Sequence, residues 1–80
     1  MTMEENPRLK QIVLKVVNNQ LKANNPPVTR KTLQRLTKKY DEKTAKEMIA
    51  SILLEEMYYV LKDKQVFNDK RYAKKLNNLK

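Results

Sequence analysis

The chain of 80 residues contains no glycine, no cysteine and no histidine. Strand-rich folds lean on glycine for hairpin turns and bulges, so its absence favours helices whose ends are handled by Asn, Asp, Thr and Pro. Without cysteine there is neither a disulfide nor a thiolate ligand. With histidine also missing, only carboxylates are left for metal binding or general acid and base work. No apolar run approaches the roughly 20 residues that a membrane span requires. The opening MTMEENPRLK has no apolar core followed by small residues, so no signal segment is expected and the cytoplasm is the expected location.

Hydrophobic residues make up 40% and charged residues 34% of the sequence, an ordinary globular balance that argues against wholesale disorder. Eighty residues form one expected domain, 1–80, with 1–5 and 80 expected to fray. A domain of this size buries only about 60 to 65% of the surface of its unfolded chain. The excess of 18 basic over 9 acidic residues gives a net charge of +9, and it is unevenly spread. The stretches 1–40 and 62–80 are basic, whereas 41–61 is mildly acidic.

The longest apolar-rich stretch, DEKTAKEMIASILLEEMYYVLK (41–62), organises the rest. At about 100° per residue, Ala45, Met48, Ile49, Ile52, Leu53, Tyr59 and Val60 share one helical face, and Ala50, Leu54, Met57 and Leu61 widen it past half the circumference. A helix that apolar must be covered from more than one side. Glu56 falls in the middle of the apolar face. Asn6-Pro7 opens a first helix running to about Ala23, with an N-cap residue type before a proline at the first helical position. Its stripe is Leu9, Ile12, Val13, Val16, Val17 and Leu21, and Gln20 sits inside that arc. Asn24-Asn25-Pro26-Pro27 must break the helix. Thr29 is expected to cap a short helix reaching about Lys39, with Leu33 and Leu36 inward, and Asp41 to cap the central one. After a polar turn whose Val66 and Phe67 are expected to plug the edge of the core, Asn68 caps a last helix, 69–79. Its stripe is Tyr72, Leu76 and Leu79, and Lys70, Arg71, Lys74 and Lys75 are expected on its wet side. The expected fold is all-α, a compact bundle of about four helices.

The segments NNQL (18–21), NNPPVTRKTLQRL (24–36), AKEMIASILLEEMYYVLK (45–62) and FNDKRYAKKLNNL (67–79) resemble a group of short bacterial proteins of unknown function. Those carry an N-Q-L segment, a PP turn before a T-L-x-R-L helix, an I-A-x-x-L-x-E-E-x-Y helix and an F-x-x-x-x-Y tail. The resemblance spans nearly the whole chain, implies an all-α fold and brings no activity with it. Such sequences often have glycine near position 39, where Lys39 stands here, so either Lys39 adopts a left-handed conformation or the turn differs.

Five site readings follow. Glu47, Glu55 and Glu56 cannot converge on one metal from one helix, because Glu55 and Glu56 point about 100° apart and Glu47 lies nearly opposite Glu56. No catalytic activity, cofactor or metal is therefore expected. Gln20 and Glu56 are expected to meet in a buried polar network, with Arg35, Tyr40 and Tyr72 as further members, because a buried carboxylate without partners is very costly. Leu54, Met57 and Tyr58 form an expected seam for a protein partner or a second copy. A helix-turn-helix is disfavoured, since its recognition helix would begin Asp41-Glu42 and carry Glu47 against a phosphate backbone. Polyanion contact through Arg30, Lys31, Arg35, Lys38 and Lys39 is the alternative to protein contact. It ranks second because lysine, at fourteen, outnumbers arginine, at four, and specific phosphate or base recognition leans on arginine.

Overall fold

The computed structural model describes residues 6–80, so the fraying expected of 1–5 lies outside the described residues. Four helices form in the expected order: α1 (Pro7–Ala23), α2 (Pro27–Leu36), α3 (Glu42–Asp63) and α4 (Asp69–Asn77). No strand occurs among the described residues. Three helix starts are capped as their sequences dictate: the side chain of Asn6 accepts from the Leu9 N–H at 3.0 Å, Asp41 from Thr44 at 3.3 Å and Asn68 from Arg71 at 2.9 Å.

The start of α2 differs from expectation. Pro26, in extended conformation, is the N-cap and Pro27 the first helical residue, so no side chain caps the helix. Proline at that position sacrifices no hydrogen bond. Thr29, released from capping, lies buried inside the helix. At the other end α2 stops at Leu36, and the N–H groups of Thr37 and Tyr40 close the turn onto the Leu33 and Leu36 carbonyls. Lys39 is not left-handed, so this turn has no use for glycine. The left-handed positions are Asn24, after α1, and Lys64, after α3, each with φ 52°. Asparagine tolerates that region, whereas lysine suffers a Cβ clash worth about 1 to 2 kcal/mol. Lys64→Gly should therefore stabilise the fold by on the order of 1 kcal/mol less the entropy glycine adds to the unfolded chain, and Lys64→Val should destabilise it. Urea unfolding of the two variants reads both signs.

Cross-links between helices fix their directions. Lys10 meets Glu47 at 2.9 Å near the start of α1 and the first half of α3. Gln20 and Arg71 place the end of α1 and the start of α4 at the level of Glu56. Arg35 and Tyr40 reach the end of α4. The helices thus run alternately up and down. The helices α2 and α3 form the middle pair, and α1 and α4 flank it without packing backbone to backbone. The core between them comprises Val13 and Val17 of α1, Leu36 of α2, Ala45, Ile49, Ala50 and Leu53 of α3, and Tyr72 and Leu76 of α4.

Three apolar residues expected in the core are outside it: Ile12 is 51% exposed, Leu61 79% and Val66 88%. Ile12 lies about 100° round the wheel from Val13, at the edge of the arc its neighbours cover. Leu61 stands about 140° from Glu56 on the helical wheel, on the flank of α3 turned away from the core, and Val66 lies on the connector after the helix. Phe67 alone takes the plugging role, meeting Tyr72 edge to face at 5.5 Å between ring centroids.

Candidate functional site

Glu56 is buried completely, as its place on the apolar face requires. Its partner is not Gln20. Arg71 Nε lies 2.9 Å and 2.8 Å from the two carboxylate oxygens, Arg71 Nη2 sits 2.7 Å from Oε2, and Lys75 Nζ is 3.2 Å from Oε1. Lys75 also reaches Glu55 at 2.7 Å. Arg71 and Lys75 stand one helical turn apart on α4, so both side chains descend on one spot of α3. They are turned inward from the wet side where periodicity put them, and both cations lie 4.8 Å from the centroid of the Tyr59 ring. The apolar stems of these long side chains cover the carboxylate while their outer ends stay partly in water.

Gln20 belongs to a second, separate cluster. Its Oε1 accepts from the Thr29 hydroxyl at 2.8 Å and from the Tyr72 hydroxyl at 3.0 Å, which ties α1, α2 and α4 together at one atom. Arg35 and Tyr40 join neither cluster. Arg35 donates to the Leu76 and Leu79 carbonyls and Tyr40 to the Lys80 carbonyl, so both satisfy backbone acceptors at the open end of α4. The expected single network is therefore three devices, two holding the first turns of α4 through Arg71, Lys75 and Tyr72 and one holding its end.

These contacts set the titration behaviour. Burial pushes the Glu56 carboxyl up, but the hydrogen bonds and charges of Arg71 and Lys75 outweigh it, and the group sits below its ordinary value of 4.5. Hydrogen bonding to Glu55 and Glu56 raises Lys75 above its ordinary 10.5 despite desolvation. Burial raises the Tyr72 hydroxyl above 10.0 against the opposing hydrogen bonds of Thr29 and Gln20. A depressed carboxyl contributes stability that is present above the unfolded value and is lost as pH falls through the folded one. The two raised groups contribute stability that is present below their unfolded values and is lost as pH rises. Thermal melts should therefore show a plateau with an acid limb below pH 4.5 and an alkaline limb above pH 10. Tyr72→Phe should flatten part of the alkaline limb.

On the flank of α3 turned away from these clusters, apolar cover is partial. Leu54 and Met57 are half-buried against the core, while Tyr58 at 59% exposure and Leu61 face outward near the end of α3, and Val66 is exposed on the connector after it. Lys62 Nζ stands 5.6 Å from the centroid of the Tyr58 ring. Of the expected seam of Leu54, Met57 and Tyr58, Tyr58 is exposed and the other two are half-buried; Leu61 and Val66, expected in the core, are exposed as well.

Of the five basic residues considered for polyanion contact, Arg30 donates to the Leu21 carbonyl at 2.6 Å and Arg35 to α4. Lys31, Lys38 and Lys39 are exposed. Beside Lys39, a groove of 410 Å³ runs between the ends of α2 and α4, lined by Arg35, Leu36, Asn77, Asn78 and Leu79. Two helix C-termini, with their carbonyl-negative ends, face it, set against the cations of Arg35, Lys39 and Lys80 that line it. Among the described residues no three acidic side chains gather as a metal site, and no helix is long and apolar enough to cross a membrane. Comparison with protein families, curated proteins and solved structures finds no match for this chain.

Proposed function

We propose that this protein is a non-catalytic protein-interaction module that docks through the C-terminal end of α3. One observation carries the reading: Tyr58 and Leu61 are exposed three residues apart on one flank of α3, and Val66 is exposed on the connector that follows. Contiguous apolar surface of this kind marks interaction sites in soluble proteins, whereas scattered exposed residues do not. Of the buried polar groups, Glu56 and Thr29 are satisfied by neighbouring side chains while the Thr32 hydroxyl has no hydrogen-bond partner among the described residues, and the satisfied pair fits a scaffold that presents a surface rather than a pocket that does chemistry. A photo-crosslinking residue placed at Leu61 should trap a protein in cells, and one placed at Lys38 should not; crosslinks confined to Lys38 would refute the reading.

Polyanion binding is the second reading, favoured by the exposure of Lys31, Lys38 and Lys39. It is weaker because Arg30 and Arg35 are committed to backbone carbonyls. Phosphate-driven affinity falls steeply with salt. A mobility-shift titration with mixed DNA and RNA should therefore give no binding at physiological salt for the module, and salt-sensitive binding for the alternative.

A further inference from the structure

We infer that the partner seated on this face is an acidic amphipathic helix. The inference rests on the proposed docking role of the α3 end and specifies its occupant. Leu54, Tyr58 and Leu61 are spaced four and three residues apart, so they line one flank of α3 over about 10 Å, two helical turns, with Met57 beside them. A strip of that length and period matches the apolar stripe of another helix, read as i, i+3 or i+4, and i+7 anchors. Val66, on the connector after the helix, is exposed as well.

Charge selects the sign of the occupant. Every glutamate of α3 is already ion-paired: Glu42 with Lys46, Glu47 with Lys10, Glu55 with Lys75, and Glu56 with Arg71 and Lys75. Asp41 is engaged as a cap. These contacts engage four of the eighteen cationic side chains, leaving the accessible charge overwhelmingly positive. Lys62 and Lys64 border the strip itself. A second copy of the chain would bring two such surfaces together and is repelled. A bare polyanion would leave Leu61 and Val66 in water. An anionic bilayer would repel Asp63 and Asp69 at the same end of the molecule, whereas a folded helix can set a cation opposite each. An apolar stripe bordered by Glu and Asp satisfies both features at once.

The test uses a synthetic peptide of about five turns with leucine at i, i+4 and i+7 repeats and glutamate on its other face, titrated into the full chain labelled for amide NMR. Perturbations should concentrate at residues 54–66, and affinity should fall as salt rises. Leu61→Ser combined with Val66→Ser should weaken binding about tenfold or more while leaving the fold intact, since both side chains already face solvent. A scrambled peptide of the same composition should not bind at these residues. Equal binding of the scrambled peptide or of polyglutamate, perturbation centred on Lys31 to Lys39, or no binding by the amphipathic peptide would overturn the inference. Two outcomes would do so while leaving the face a docking site: self-association in sedimentation, or binding of phosphatidylserine vesicles, either one abolished by the double serine variant. Binding of every probe unaffected by that variant would overturn the docking role as well.

Discussion

Replacing Glu56 with alanine is expected to cost about 3 kcal/mol, the low end of the scale seen when one partner of a buried ion pair is removed. The two sides of this pair are unequal. The Glu56 side chain is 0% exposed, whereas Arg71 and Lys75 are 30% and 25% exposed and can recover some hydration by swinging outward. Removal of the carboxylate therefore leaves a cavity and a guanidinium whose inner nitrogen loses its counterion, but no fully stranded charge. Removing both cations is worse. With Arg71→Met and Lys75→Met together, apolar stems still cover the carboxylate while it loses everything that held its pKa down, so burial alone acts and raises it. A raised folded-state pKa inverts the linkage: stability then increases as pH falls toward protonation of Glu56 and is lost as pH rises. The wild-type protein behaves oppositely at its acid limb, because its Glu56 is depressed. Urea unfolding of the double variant between pH 4 and pH 8 (about the carboxylate-to-neutral range) should slope downward with pH. Adding Glu56→Gln to that background should remove the slope. A flat profile in the double variant would show that water, not the two cations, solvates Glu56.

Much of this arrangement is legible in the sequence. The helix count and order, the Asn6, Asp41 and Asn68 caps and the burial of Glu56 follow from local rules, since caps and faces are set by residues within a turn or two of each other. The pairing of Glu56 was misread for a physical reason. Matching the widest apolar faces brings α1 to α3, and Gln20 is the polar residue on the α1 face, but Lys and Arg do not look like core residues on a wheel even when their stems are buried. The available signal was charge: two cations one turn apart on a basic helix match adjacent Glu55 and Glu56 better than an amide does. Likewise, extending the apolar face of α3 past half the circumference takes in Leu61, which stands about 140° from Glu56 and about 40° from Glu47 and so faces water. The position of Thr29 turned on a proline. Two prolines mark a break, and which of them begins the next helix depends on whether its N–H is missed, a distinction worth only one turn in sequence but enough to convert a cap into a buried hydroxyl on Gln20.

A chain cut after Lys64 is expected to lose its cooperative unfolding transition while keeping part of its helical signal. The charge cluster does not drive this result. Without α4, Glu56 faces water and its desolvation cost vanishes along with its partners, so the pair contributes little to the difference. The loss is in apolar burial. Tyr72 and Leu76 are fully buried and Phe67 and Leu79 partly so, at roughly 1.5 to 3 kcal/mol for each full burial before entropy is counted. The truncation also uncovers the surfaces of α2 and α3 on which those side chains rest. The ten-residue α2 suffers most, because it is held between α3 and α4 and is too short to persist without packing. Against a total stability of about 5 to 15 kcal/mol, with a domain this small at the low end, those losses are sufficient to abolish the folded state. Helices of 17 and 22 residues retain marginal helicity on their own, which is why circular dichroism should show reduced helix with a broad, non-cooperative melt. Leu76→Ala separates packing from connectivity, since it leaves every polar contact of α4 in place and should still cost about 2 to 5 kcal/mol. An unchanged melting temperature in the truncated chain would mean that α4 is an undocked tail, and the Tyr72, Leu76 and Glu56 contacts would all fall with it.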